Sequence, residues 1–150
     1  MASLARDIMT REPACCGPKT TLEDVAKLMV QNDCGEIPVV DVNNRVIGVV
    51  TDRDIVCRVV AAGINPLERT AESCMTPSVV TARENDSIAD IISMMERHQV
   101  RRVPVVRDGG LCTGIVSQAD LARIAGDHDV AELVCEVSKD TGTQALYPAG

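Results

Sequence analysis

The chain has 150 residues, a length that fits one compact domain able to bury a continuous core. Its hydrophobic fraction of 45% excludes a disordered chain, and with no Trp, no Phe and one Tyr the core is built from Val, Ile, Leu, Met and Ala. A formal net charge of −7 and the lack of rings argue against nucleic acid as a partner. Such binding needs a basic footprint to displace counterions, and single-stranded bases need rings to stack on.

No apolar run approaches the roughly 18 residues that cross a bilayer, so no membrane partner is expected. The first residues carry Arg6, Asp7, Arg11 and Glu12 where a signal peptide needs an apolar stretch, and a cytoplasmic location is expected. The seven cysteines (Cys15, Cys16, Cys34, Cys57, Cys74, Cys112 and Cys135) are odd in number and unpatterned, which fits reduced thiols better than a disulfide framework.

An internal repeat organises the chain. A shift of 66 positions, the difference between Pro104 and Pro38, lays the segment from Ile8 to Ile55 on the segment from Cys74 to Leu121 without a gap. In chain order, the first copy predicts a short strand over Pro13–Cys16. A helix follows, capped by Thr21 with Asp24 at its third position, and its apolar residues Leu22, Val25, Ala26 and Met29 recur at helical spacing. A β-branched strand holds Ile37-Pro38-Val39-Val40, with Pro near the start where its missing N–H is tolerated. A polar turn over Asp41–Arg45 leads to a second strand, Val46–Val50, and a second helix starts at Thr51. The run from Ala61 to Pro66 stops that helix, with Gly63 and then Pro66 as breakers. The second copy repeats the order: Val79–Thr81, a helix capped by Ser87 with Asp90 and carrying Ile88, Ile91, Ile92 and Met95, then Val103–Val106, a turn at Asp108-Gly109-Gly110, Cys112–Val116, and a helix from Ser117. Asp120–Val137 reads as helical but interrupted at Gly126, and Ser138–Gly150 as a frayed polar end. The expected divisions are a first repeat over 5–62, a linker over 63–72, a second repeat over 73–126, and a helix remnant and tail over 127–150. Each half is too small to bury its sheet alone, so two halves are expected to cover each other.

A tandem β-α-β-β-α repeat with Ile/Val-Pro-Val-Val strands, ending in Gly48-x-x-Thr51-x-x-Asp54 and Gly114-x-x-Ser117-x-x-Asp120, resembles the CBS domain family. The resemblance covers Ala5 to about Ala125. Thr51–Ile55, Ala61–Pro66 and Glu96–Val106 are similar to stand-alone bacterial two-repeat members of the hypoxic response protein type. The resemblance implies an α+β fold, a CBS-domain pair whose repeats pack by pseudo-twofold symmetry. It implies clefts between them for an adenosine-containing ligand: AMP, ADP, ATP, NAD or S-adenosylmethionine. It also implies a homodimer and a regulatory module without catalysis. Such a module requires no cofactor, takes an adenine nucleotide as regulatory ligand, and signals to a partner protein that the sequence does not name. The apolar run Ile55–Ala62, poorly suited to a solvated face, supports the dimer.

The candidate ligand residues are Thr51 and Asp54 in one repeat, Ser117 and Asp120 in the other. A carboxylate accepts hydrogen bonds from a ribose diol, and a hydroxyl beside helix-start N–H groups suits a phosphate. The same spacing also makes a helix cap, and the chain carries its own controls in Thr21/Asp24 and Ser87/Asp90, assigned to capping alone. Arg101 and Arg102 point to opposite faces of a strand; the resemblance assigns basic residues there to ligand phosphates, with Arg101 favoured slightly. The first repeat has Gly35-Glu36 instead, so a polyanion is expected on the arginine side. Arg53 adds charge beside Asp54 or pairs with it. An adenine slot is expected at Cys15, Cys16 and Gly17 in one repeat and at Val79, Val80 and Thr81 in the other. No Cys-x-x-Cys occurs, and His98 and His128 have no ligand at helical spacing, so no metal site is expected. Phosphate-loop motifs and a catalytic grouping are absent, and the chain is not expected to be an enzyme. Two alternatives stand beside ligand sensing: a ligand-free interaction or stress-response scaffold in which the four residues only cap helices, and a thiol or metal sensor built on Cys15 and Cys16.

Overall fold

The computed structural model describes residues 3–77 and 80–124. Val79, Gly126, His128, Cys135 and the expected C-terminal helix and tail lie outside the described residues. In chain order the elements are α1 (Ala5–Ile8), β1 (Thr10–Arg11), α2 (Leu22–Asn32), β2 (Glu36–Val40), β3 (Val46–Thr51), α3 (Asp52–Asp54) running into a π-helical segment (Ile55–Val60), β4 (Thr76–Pro77), β5 (Ala82–Arg83), α4 (Ile88–His98), β6 (Arg102–Arg107), β7 (Leu111–Ser117) and α5 (Gln118–Ala122). Short 3-10 turns occupy Pro66–Glu68, Ala71–Ser73 and Asp108–Gly110. The content is α+β, and the second copy shows the β-α-β-β-α order with its first strand at Ala82–Arg83, just past the expected position, whereas in the first copy the strand expected over Pro13–Cys16 is reduced to a single bridge at Cys16.

The described residues form two compact units, 13–77 and 3–12 together with 80–124. In the first unit the sheet order is β2-β3-β4, and Cys16 forms a parallel bridge to Val39 at the far edge. In the second unit the order is β1-β7-β6-β5, with Ala82 parallel to Val105. These are the same sheet, since Cys16 and Val39 fall on Ala82 and Val105 after the shift of 66. Even the irregularity repeats: the register slips between Val39 and Val40 and between Val105 and Val106.

The edge strand of each sheet comes from the segment that precedes the other copy in sequence. Thr10 and Arg11 pair with Ile115 and Gly114, and Thr76 and Pro77 pair with Val49 and Gly48. The glycines make this possible. A Cβ at Gly48 would stand 2.7 Å from the sulfur of Met75, and one at Gly114 would run into the sulfur of Met9. Each methionine fills the space a side chain would need. Backbone bonds fasten the same segments: Ala5 N–H to the carbonyl of Asp86 at 2.9 Å, and Ala71 N–H to that of Thr20 at 2.8 Å. A compact unit and a sequence repeat are therefore offset, with 3–12 joining the second copy and 63–77 the first.

Each long helix buries one stripe. Leu22, Val25 and Met29 of α2 pack on Ile37, Val39 and Val50, while Ala26 stays exposed. Ile91 and Met95 of α4 pack on Val103, Val105 and Val116, with Ile88 and Ile92 partly covered. Full burial of one such side chain is worth about 1.5–3 kcal/mol, so the aliphatic set suffices without rings. Thr21 and Ser87 cap these helices by accepting from the N–H of Asp24 and Asp90. Both end on a non-glycine residue in the left-handed region, Asp33 (φ 49°) and Gln99 (φ 54°). Gly63, also left-handed at φ 78°, ends the first-copy helical run ahead of the Pro66 turn. No described helix is long and apolar enough to cross a membrane.

Candidate functional site

In both units the antiparallel hairpin ends at a hydroxyl residue that opens a short helix. Thr51 closes β3 and Ser117 closes β7, both with extended backbone. Asp54 N–H donates to Thr51 Oγ1 at 3.0 Å, and Asp54 Oδ2 accepts from Thr51 N–H at 3.0 Å. The second unit repeats this: Asp120 N–H to Ser117 Oγ at 3.2 Å, and Asp120 Oδ2 from Ser117 N–H at 2.8 Å and from its hydroxyl at 2.9 Å. These are reciprocal capping boxes.

The two control caps differ in a way that the shared spacing hides. Asp24 and Asp90 are exposed, and the capping boxes close only at Thr51 and Ser117 among these four caps. Asp54 is 6% exposed and Asp120 9%, and they are the buried charged residues among those described. Oδ2 of each is committed to the strand-end N–H. Oδ1 faces an arginine on the following helical turn: Arg58 Nε at 3.5 Å from Asp54, and Arg123 Nη2 at 3.7 Å from Asp120. Sequence reasoning missed both arginines, although acid and base three or four apart on a helix are a known pairing signal. Arg58 is thus an ion-pair partner of Asp54; Arg53, the sequence candidate for that place, is exposed and donates its backbone N–H to Asp52 at 2.8 Å.

Strand register then sets the rim. Arg102 pairs directly with Ser117, and Glu36 directly with Thr51. Directly opposed residues present their side chains to one face about 4.5–5.5 Å apart. Arg102 is half-buried beside Ser117; Arg101 is exposed, and its carbonyl accepts from Gln118 N–H at 2.9 Å. Gly35 takes the place of Arg101 with the same backbone bond, its carbonyl accepting from Asp52 N–H at 3.0 Å. Asp52 lies over that glycine, so that a Cβ there would stand 2.9 Å from Asp52 Oδ2.

The expected adenine walls fare unequally. Val80 and Thr81 are half-buried at the start of the second-unit edge, and Val79 lies outside the described residues. Gly17 is half-buried, its N–H donating to Thr20 Oγ1 at 3.0 Å. Cys16 requires a correction. Its side chain belongs to the aliphatic core, and its N–H donates to Pro38 while its carbonyl accepts from Val40, so its side chain and the edge facing β2 are spent on the fold. Burial pushes the thiols of Cys16 and Cys74 up to about 11, helped for Cys16 by repulsion from Cys74 and for Cys74 by Asp54, with Arg58 opposing the rise at Cys74. Such thiols are packing groups, not nucleophiles. Among the described residues no three His, Cys, Asp or Glu side chains converge to hold a metal ion. The first unit also carries an apolar groove of about 410 Å³, lined by Leu22, Ala26, Val30, Ile55, Pro66 and Leu67.

Comparison with known proteins fits this geometry. Hypoxic response protein 1 of Mycobacterium tuberculosis is 40% identical over 130 residues, 87% of this chain and 90% of that one. The crystal structure of Hypoxic Response Protein I, which has two coordinated zinc ions, superposes with a TM-score of 0.75 at 39% identity, covering 83% of this chain and all of the other. The CBS domain pair of protein MJ0100, in complex with 5′-methylthioadenosine and S-adenosyl-L-methionine, gives a TM-score of 0.75 at 27% identity over 83% of this chain and 96% of that one. CBSX2 in complex with AMP gives 0.70 at 27% identity over 82% and 96%. The profile of the CBS domain matches twice, at residues 5–61 and 71–127, the two copies that the shift of 66 brings into register, and the chain belongs to the CBS domain family as a tandem pair.

Proposed function

We propose that this regulatory CBS pair senses an adenosine-containing ligand, held at the mouths formed by Thr51 with Asp54 and by Ser117 with Asp120. One observation carries the reading: both carboxylates are buried and doubly anchored, whereas the equally spaced Asp24 and Asp90 are exposed. A cap alone does not require burial, and burying a carboxylate costs free energy. Held on Oδ2, each carboxylate keeps lone pairs of Oδ1 for the hydroxyls of a ribose, beside the arginine on the next helical turn. Arg102, opposite Ser117, supplies charge for a phosphate, Arg101 adds to the positive field from the neighbouring position, and Val80 and Thr81 give an aliphatic wall for the base. Complexes of MJ0100 and CBSX2 with adenosine compounds support this choice of ligand. Differential affinity for two arrangements of the chain would turn binding into a signal that a partner protein reads.

The same reading includes a homodimer. Val56 and Val60 are half exposed, and Val30 and Leu67 more so, all in the first unit. Light scattering at high concentration should report twice the chain mass; a strict monomer would contradict it.

The test of ligand sensing is a thermal-shift series with AMP, ADP, ATP, NAD and S-adenosylmethionine on nucleotide-free protein. Ligand that binds only the folded state raises Tm by mass action. A rise with at least one compound, lost in Asp54→Ala or Asp120→Ala, is expected. No rise at millimolar ligand would favour a ligand-free scaffold, in which both carboxylates serve only as caps.

A further inference from the structure

The two mouths share a backbone and differ in charge. Glu36 stands opposite Thr51 where Arg102 stands opposite Ser117. Asp52 donates its N–H to Gly35 just as Gln118 donates to Arg101. Counting Glu36, Asp52, Arg53, Asp54 and Arg58, the first mouth carries −1; Arg101, Arg102, Asp120 and Arg123 give the second +2. The Asp52 carboxylate lies over Gly35, at the place from which the Arg101 side chain springs in the other unit.

We infer that the two repeats have divided the ligand chemistry: the Arg102 mouth takes a phosphorylated adenosine, and the Glu36 mouth takes an adenosine derivative whose 5′ substituent is neutral or cationic. This rests on the sensing role proposed above. Both mouths keep the buried aspartate, so both keep a ribose acceptor. What changes is the rim that meets the 5′ group. A phosphate facing Glu36 and Asp52 meets like charge, whereas an amine or sulfonium there meets opposite charge. At the Arg102 mouth both preferences reverse. Unit charges a few ångströms apart at a protein surface are worth about tenfold or more in affinity. The sequence difference is therefore large enough to sort ligands.

Calorimetric titration of the full chain tests this, with AMP as the anionic probe and S-adenosylmethionine and 5′-methylthioadenosine as the others. One AMP per chain is expected, and binding of either sulfur compound should leave AMP affinity within about twofold. Arg102→Glu should weaken AMP at least about tenfold and spare the sulfur compounds. Glu36→Arg should weaken S-adenosylmethionine and create a second AMP site. Asp52→Gln, a change to the residue of the other repeat, moves the same way with less risk to folding, and circular dichroism checks each variant. Competition of AMP with the sulfur compounds for one site, or equal loss of AMP in the Arg102 and Glu36 variants, overturns the division alone. If none of the three probes binds the folded wild type, the sensing role falls and the division with it.

Discussion

The turns at 51–54 and 117–120 close the same reciprocal cap, while the residues around them differ. Thr51 and Ser117 each accept from the N–H three residues on, and Asp54 and Asp120 each return the bond. Yet Glu36 faces one turn and Arg102 the other, and Ile55 is half-buried beside a groove where its equivalent Leu121 is fully buried. Duplication has kept what holds the backbone and varied what meets solvent. The shared frame reflects a strict physical need, because a strand that ends at a helix start must satisfy its orphan N–H groups. The rim has no such need and is free to specialise.

Substitutions at paired positions can break this comparison. The largest effect is expected in the core. Leu121→Ala should cost about 2–5 kcal/mol in chemical denaturation, and Ile55→Ala clearly less, because its site is already open on one side. Equal losses would mean that the groove beside Ile55 is closed in solution. Next are the glycines. Gly114→Ala and Gly48→Ala should each cost about 1–3 kcal/mol as the new Cβ displaces Met9 or Met75. Pairing each with a smaller residue at the methionine should recover part of the loss if the edge-strand packing is as described.

The caps come third. Asp54→Ala and Asp120→Ala should each lower stability by about 1 kcal/mol, and Asp24→Ala by only a few tenths, since it closes no reciprocal bond. Alkaline titration adds a sharper contrast between units. The thiols of Cys16 and Cys74 are raised in the folded state from 9.0 to about 11. Folding therefore holds these protons more tightly than the unfolded chain does. Their contribution is complete below pH 9 and is lost as pH rises through about 11. Double replacement by Ala82 and Ile8, the equivalents in the other repeat (Cys16→Ala with Cys74→Ile), should flatten the fall in stability between pH 9 and 11. The smallest effect is a gain: Gln99→Gly should stabilise by up to about 1 kcal/mol, because glycine accepts the left-handed geometry without strain.

Much of this was readable in the sequence. Helix caps depend on residues three apart, and the copies confirmed each other, so Thr21, Ser87, Thr51 and Ser117 could all be placed. The family likeness added the fold. Edge exchange was hidden because pairing Thr10 with Ile115 is a contact between distant positions, and no local pattern encodes it. Cys16 was misjudged as a ligand wall. Its equivalent is Ala82, fully buried beside Val105, and strand alternation across both copies points the pair to the core. The burial that separates Asp54 and Asp120 from Asp24 and Asp90 was equally out of reach, since identical spacing gives opposite environments.

In the proposed site the anchored carboxylate of Asp120 and its neighbouring arginines bind an adenine nucleotide. Calorimetric titration of AMP into nucleotide-free protein and into Asp120→Ala, well below either melting temperature, tests it most directly. Saturable binding to the wild type, weakened at least about tenfold in the folded variant, is the predicted result. Binding of AMP with unchanged affinity by folded Asp120→Ala, or no binding by the wild type, would contradict the account.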